Sequence, residues 1–157
     1  MLRLIQEDRE LFLIGRRAET QGMGIGAFAY YRRVVEQQKT RIFDKIIDVA
    51  KKLGTKDEQI AQLHQDRNKW SFEASAEALK DIMPRELFID GQNPLMLLHR
   101  ALSANLHECS DRECLELAET IRLVLIEFAD RCAEILRDRN ELTAAVKRLG
   151  SSPRLKL

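Results

Sequence analysis

Apolar residues in this chain recur three and four positions apart and nowhere alternate with polar ones. A strand with one buried face repeats every second residue, whereas a helix with one buried face repeats at about 3.6. The chain is therefore constrained to helices packed on helices, with no sheet. The clearest stripe is Phe28, Tyr31, Val35, Ile42, Ile46, Val49 and Leu53, all on one face of a single helix expected over 27–53. A second stripe holds Cys114, Leu117, Ala118, Ile121, Leu125, Phe128, Cys132 and Ile135. Glu116, Glu119, Glu127, Asp130, Glu134 and Arg137 lie opposite it.

The expected fold is all-α, an antiparallel, up-and-down helical bundle with a long second helix and a long C-terminal helix. Its first helix spans 7–20, with Leu11, Ile14 and Ala18 inward. Gly22, Met23, Gly24, Ile25 and Gly26 then break the chain, and Gly54 stops the long second helix. Thr55 and Glu58 have capping-box spacing and open a helix through Ile60, Leu63 and Arg67. A short helix over 72–82 ends before Pro84, and Asp90-Gly91 marks a turn in the irregular stretch 85–92. Asn93 as N-cap with Pro94 at the first helical position is the clearest helix start. Ser110 and Glu113 form a second capping box, which places a boundary near Cys109. Continued to 149, the last helix would be roughly 60 Å long. It is therefore expected to bend at 138–140, to overhang, or to meet a partner. Residues 1–150 read as a single domain and 151–157 as a flexible tail.

The 157 residues suit one domain, and 45% hydrophobic with 32% charged residues describe a globular chain. Lys and Arg number 26 against 25 Asp and Glu, which excludes a protein living on non-specific nucleic-acid affinity. Any such contact must come from a local patch. No apolar run approaches the ~20 residues of a membrane span, and the first ten residues lack the apolar core of a secretory signal. No membrane partner is expected. Cys109, Cys114 and Cys132 are odd in number and without close paired spacing, as reduced thiols of the cytoplasm are.

The segment 93–113 concentrates the residues capable of chemistry. On a continuous helix Arg100 and His107 point within about 20° of each other, about 10 Å apart along the axis. His99 and Ser103 sit at nearby angles, Asn105 lies off that face, and Leu98, Leu102 and Leu106 form the adjoining apolar ridge. An imidazole bordering the core can serve as general acid or base in RNA cleavage while an arginine holds the phosphate, with no metal required. The same two histidines equally suit boundary positions satisfied by hydrogen bonds. His107, Cys109 and Cys114 would need to converge across a helix break to bind zinc and lack a fourth ligand, so no metal site is expected. The glycines at 22–26 lack the Lys and Ser/Thr of a nucleotide loop and follow no strand; they allow a tight turn. Tyr30, Arg33, Gln37 and Arg41 follow at helical spacing away from the apolar stripe, either to stack a base and hold phosphates or as a solvated face continued by Asp44 and Asp48. Arg32 and Glu36 are placed to pair. Trp70, Phe72, Leu87 and Phe88 suit core packing.

Two passages, GAFAYYRRVVE at 26–36 and LLHRALSANLHECSDRECLELAETIRLVL at 97–125, together resemble bacterial helical domains of unknown function within the HEPN superfamily. In that superfamily an early helix carries an Ala-rich, aromatic and Arg-Arg/Glu pattern. A later one carries Arg, four to six residues, then His. Arg100 and His107 match with six residues between them. The resemblance implies an antiparallel bundle, a homodimer with the Arg–His helices facing each other, RNA as a partner and no cofactor. It also implies a protein partner of the antitoxin kind, in toxin–antitoxin or phage-defence systems. Active members are metal-independent endoribonucleases, and others only bind RNA or proteins. On that reading Arg100 and His107 are catalytic, with His99, Ser103, Asn105, Glu108, Tyr30, Arg33 and Arg41 contributing to binding. Active members usually carry a polar residue directly after the arginine, where this chain has Ala101. The other expectation is a non-catalytic helical dimerisation or protein-interaction module.

Overall fold

The computed structural model describes residues 6–69, 71–137 and 139–151. The helices are α1 (Arg9–Thr20), α2 (Gly24–Gln37), α3 (Lys39–Lys52), α4 (Asp57–Arg67), α5 (Phe72–Leu79), α6 (Pro94–Leu102), α7 (Asp111–Leu136) and α8 (Asn140–Gly150). Short turns of tighter helix precede α1 at Gln6–Asp8 and fill Arg85–Leu87. Among the described residues the only β pairing is a bridge between Ile89 and Gln92, closed by Asp90 and Gly91, both with positive φ. No helix among them is long and apolar enough to cross a membrane. Trp70, Asp138 and the tail 152–157 lie outside the described residues.

The long helix expected over 27–53 is instead two helices, α2 and α3, that meet at Gln38. Backbone bonds persist on both sides, Gln38 N–H to the Val34 carbonyl and Ile42 N–H to that of Gln38, each at 2.9 Å. The joint is thus one residue wide. Its side chain is buried, and Nε2 donates to Asp8 Oδ2 at 2.6 Å, tying the joint to the start of α1. The expected stripe survives the division: Phe28, Tyr31, Val35, Ile42, Ile46 and Val49 are all buried, while Leu53 is exposed.

Thr55 does not cap α4. The N-cap is Lys56, with no side-chain bond. The Thr55 N–H instead bonds the Ala50 carbonyl, and the Gly54 N–H that of Lys51, which together close the C-terminus of α3. The turn after α1 is closed the same way by Met23 and Gly22, and Gly22 takes φ +74°, where a side chain would be strained. The helix expected over 72–82 ends early, at Leu79, after Ser71 has capped its start by accepting from the Ala74 N–H at 3.1 Å.

One core cluster joins α1 to α7. Phe12 packs against Tyr31 with ring centroids 5.3 Å apart, and Phe43 against Phe72 at 5.9 Å. Phe72 and Leu87 are buried as expected, and Phe88 is half-buried under the Arg85 guanidinium. Gly15 lets α1 approach α2, because a Cβ there would lie 2.7 Å from the Tyr31 ring. Gly24 does the same for α2 and α7, because a Cβ there would run into the Asp111 carbonyl oxygen. α1 lies along α2, with Gly15 against Tyr31 and Ala18 near Gly26, and α2 and α7 begin side by side at the same end. The C-terminal run is interrupted around Arg137 and Arg139, and none of the residues of α8 is buried.

Candidate functional site

α6 begins where the sequence places it. Asn93 Oδ1 accepts from the Leu95 N–H at 2.9 Å, and Pro94 occupies the first helical position, whose N–H would have no partner. Leu95, Leu98, Ala101 and Leu102 face the core, which leaves His99 half-buried and Arg100 exposed.

The helix then stops at Leu102, and this overturns the shared helical face of Arg100 and His107. Ser103 ends it by donating both its backbone N–H, at 3.0 Å, and its hydroxyl, at 2.7 Å, to the His99 carbonyl. The His99 Nδ1 stands 3.5 Å from the same hydroxyl. Two residues on, Asn105 organises a separate turn. Its Oδ1 accepts from the His107 N–H at 3.2 Å, and its carbonyl accepts from Glu108 and Cys109 at 3.0 and 3.2 Å. Ser and Asn side chains that bond the nearby backbone in this way offer it an alternative to helix.

His107 and Glu108 are exposed on this turn, so the imidazole does not border the core. Leu106 and Cys109 are half-buried and anchor the turn. Among the described residues, neither the Arg100 guanidinium nor the His107 imidazole takes part in an ion pair or side-chain hydrogen bond. Ala101, at the position after Arg100, is only 4% exposed and presents its methyl group to the core.

α7 starts on the complete capping box expected from Ser110 and Glu113. The Ser110 N–H donates to Glu113 Oε2 at 2.7 Å and the Glu113 N–H to Ser110 Oγ at 3.2 Å. The next carboxylate reaches outward: Asp111 Oδ1 accepts from the Ile25 N–H at 2.9 Å. That bond, with the Gly24 N–H beside it, holds the Asp111 carboxyl below its ordinary pKa, as a negative charge at the start of α2 should be.

The Tyr30, Arg33, Gln37 and Arg41 row is divided by the joint at Gln38. Tyr30 is half-buried, Arg41 pairs with Glu7, and Gln37, with its amide turned to satisfy both neighbours, donates to Asp8 and accepts from Arg33. Asp44 pairs with Arg67, and the expected Arg32–Glu36 pair forms at 2.9 Å. This surface is cross-linked to itself more than it is open to a ligand.

An enclosed polar constellation lies elsewhere and was missed from sequence. Glu19, Tyr31 and Arg122 meet between α1, α2 and α7, with Arg16 reaching Glu19 from one turn earlier at 3.1 Å. Burial pushes the Glu19 carboxyl up, but its bonds from Arg122, Tyr31 and Arg16 outweigh that and hold it below the ordinary range. Burial, then the bond to Glu19, pushes the Tyr31 phenol up. The one sequence signal was Arg122 itself, the sole charged residue in the apolar run 121–126. Among the described residues no three His, Cys, Asp and Glu side chains are grouped as metal ligands would be.

No protein-family model matches this chain, and no curated protein and no solved structure is similar to it.

Proposed function

We propose that this chain is an HEPN-like domain that binds RNA and acts, as a homodimer, as a metal-independent endoribonuclease in a cytoplasmic defence or toxin–antitoxin system. The supporting observation is the state of Arg100 and His107. Both are exposed, and among the described residues both are without a side-chain partner, one in the last turn of α6 and the other in the turn leading to α7. A cationic guanidinium and an imidazole left open on one short connection can meet an anionic polymer from solvent.

In the proposed reaction His107 takes the proton from the ribose hydroxyl beside the scissile phosphate. That hydroxyl oxygen attacks phosphorus, the oxygen of the next nucleotide leaves, and a cyclic phosphate remains. Arg100 holds a non-bridging oxygen and offsets the charge gained in the transition state. The second copy of a homodimer brings its own imidazole to protonate the leaving oxygen. Asn105 fixes the backbone of His107, and His99, Ser103 and Glu108 border the path of the strand. Tyr30 contacts flanking RNA, and Arg33 and Arg41 do so by exchanging partners they already hold. In this reading the helices form a bundle of mainly antiparallel neighbours, with α2 and α7 the exception.

A second reading, a non-catalytic dimerisation or protein-interaction module, is favoured by α8. Its Leu142, Val146 and Leu149 are each at least 60% exposed along one face. The methyl group of Ala101, buried where active relatives of the resembled family carry a polar side chain, favours it too.

Cleavage of a mixed RNA substrate in EDTA, by wild type and by His107→Ala prepared identically, tests the assignment. The expected result is cleavage by the wild type and none by the variant. Equal behaviour of the two proteins overturns the ribonuclease reading in favour of the interaction module.

A further inference from the structure

The capping box of α7 brings two thiols together. Ser110 is the N-cap, so Cys109 precedes the cap and Cys114 is the fourth residue of the helix. These are the two positions whose side chains pack across a capping box as a hydrophobic staple. Here both are cysteine. The Cys109 N–H is held by the Asn105 carbonyl at 3.2 Å and the Cys114 N–H by that of Ser110 at 3.0 Å, so backbone bonds fix both Cα positions. Cys109 packs against the core cluster to which Cys114 belongs. Cys109 is half-exposed and Cys114 fully buried beneath it.

We propose that Cys109 and Cys114 are a redox-active pair, a modification site at the start of α7 that takes low-molecular-weight disulfides such as glutathione disulfide and closes to an intramolecular disulfide. The thiolate of Cys109, the sulfur that solvent reaches, attacks one sulfur of glutathione disulfide. A bond forms between them, the glutathione S–S bond breaks, and one glutathione thiolate leaves. Cys114 then gives its proton to solvent and attacks the Cys109 sulfur, and the second glutathione leaves as the Cys109–Cys114 bond forms. The chain loses two electrons and glutathione disulfide gains them.

Burial pushes the Cys114 thiol up, and the neighbouring Cys109 and Asp111 add to that, so Cys114 is the slower, resolving member. Closing the pair binds the turn that carries Asn105, His107 and Glu108 covalently to the first turn of α7. Cys132 is the internal control: it is 2% exposed, lies far along α7, and burial pushes its thiol up to about 12. The pair does not depend on the chain acting on RNA.

Thiol mapping on the full chain tests it. The reduced protein is treated with excess glutathione disulfide, quenched in acid, then unfolded and alkylated. The expected product carries one alkyl group, on Cys132, where the untreated chain carries three. Trypsin cuts after Arg112, between the two cysteines, so the expected product yields two peptides joined by a bond that reductant breaks. Three alkyl groups, a glutathione adduct persisting on wild-type Cys109, or a link between two chains would each overturn the proposal. The Cys114→Ser variant is expected to stop at the glutathione adduct on Cys109. The wild-type measurement stands by itself should that variant not fold.

Discussion

Arg122 holds the carboxylate of Glu19 through Nε and Nη2 at 2.8 to 3.0 Å, joining α7 to the end of α1 across 103 residues of chain. The two side chains are 15% and 10% exposed, and Tyr31 donates a further bond of 2.5 Å to the same carboxylate. Removing one partner leaves a charge enclosed with too few bonds, which costs more than the pair contributes. Arg122→Ala is therefore expected to lower unfolding stability by about 2–4 kcal/mol, and Tyr31→Phe by about 1 kcal/mol. Urea unfolding at neutral pH measures both.

The same carboxylate gives a pH signature. Its folded pKa lies below the ordinary 4.5, so its contribution is complete above that value and is lost as pH falls through the folded pKa. The stability gap between wild type and Glu19→Gln is expected to narrow steadily as the pH is lowered from about 5 towards 3. A gap constant with pH would show that the carboxylate titrates alike in both states.

Gly24→Ala drives a methyl group into backbone atoms of α7, the Asp111 carbonyl oxygen and, at 2.6 Å, the Leu115 nitrogen. Backbone cannot rotate aside as a side chain can, so the helices must separate and the Asp111 bond to Ile25 must lengthen. The expected loss is about 3 kcal/mol. Gly26→Ala, whose nearest contact would be 3.7 Å away, is expected to change stability by no more than about 1 kcal/mol, in the stabilising direction. Thermal unfolding of the two variants side by side makes the comparison.

The two capping-box sequences are expected to respond differently to alanine. Ser110→Ala removes a formed cap and should cost about 1 kcal/mol. Thr55→Ala removes a hydroxyl that caps nothing and should cost less than about 0.5 kcal/mol. Equal losses would contradict the closure of α3 at Gly54 and Thr55.

Exposed His107 and the unburied helix α8 should both be dispensable for folding. His107→Ala and a chain ending at Arg137 are each expected to unfold within about 1 kcal/mol of the wild type. A loss of several kcal/mol in the truncated chain would place α8 on the core, and the same loss in His107→Ala would make the imidazole structural.

What could be read from the residue order was what short stretches of backbone decide for themselves. The helical period, the Asn93-Pro94 and Ser110–Glu113 starts, the Gly22 turn and the Asp90-Gly91 turn all act within about four residues, where hydrogen-bond partners are also sequence neighbours. Local signals also compete, and the competition is where reading failed. Thr55 has the spacing of a cap, yet its N–H closes the helix before it, and Ser103 and Asn105 divide a stretch whose apolar spacing alone permits continuous helix.

Tertiary structure alone decided which polar groups became enclosed and which stayed open. Glu19 and Arg122, or Gly24 and Asp111, are ordinary residues in their own segments and acquire meaning only when α1, α2 and α7 pack together. The physical reason is range. A turn is settled by dihedral preference and bonds to adjacent peptides, whereas a buried ion pair or a backbone contact depends on the packing of distant segments. For the same reason His107 and Arg100 were recognisable by type and spacing, while their exposure on a turn and a helix end came from the folded chain.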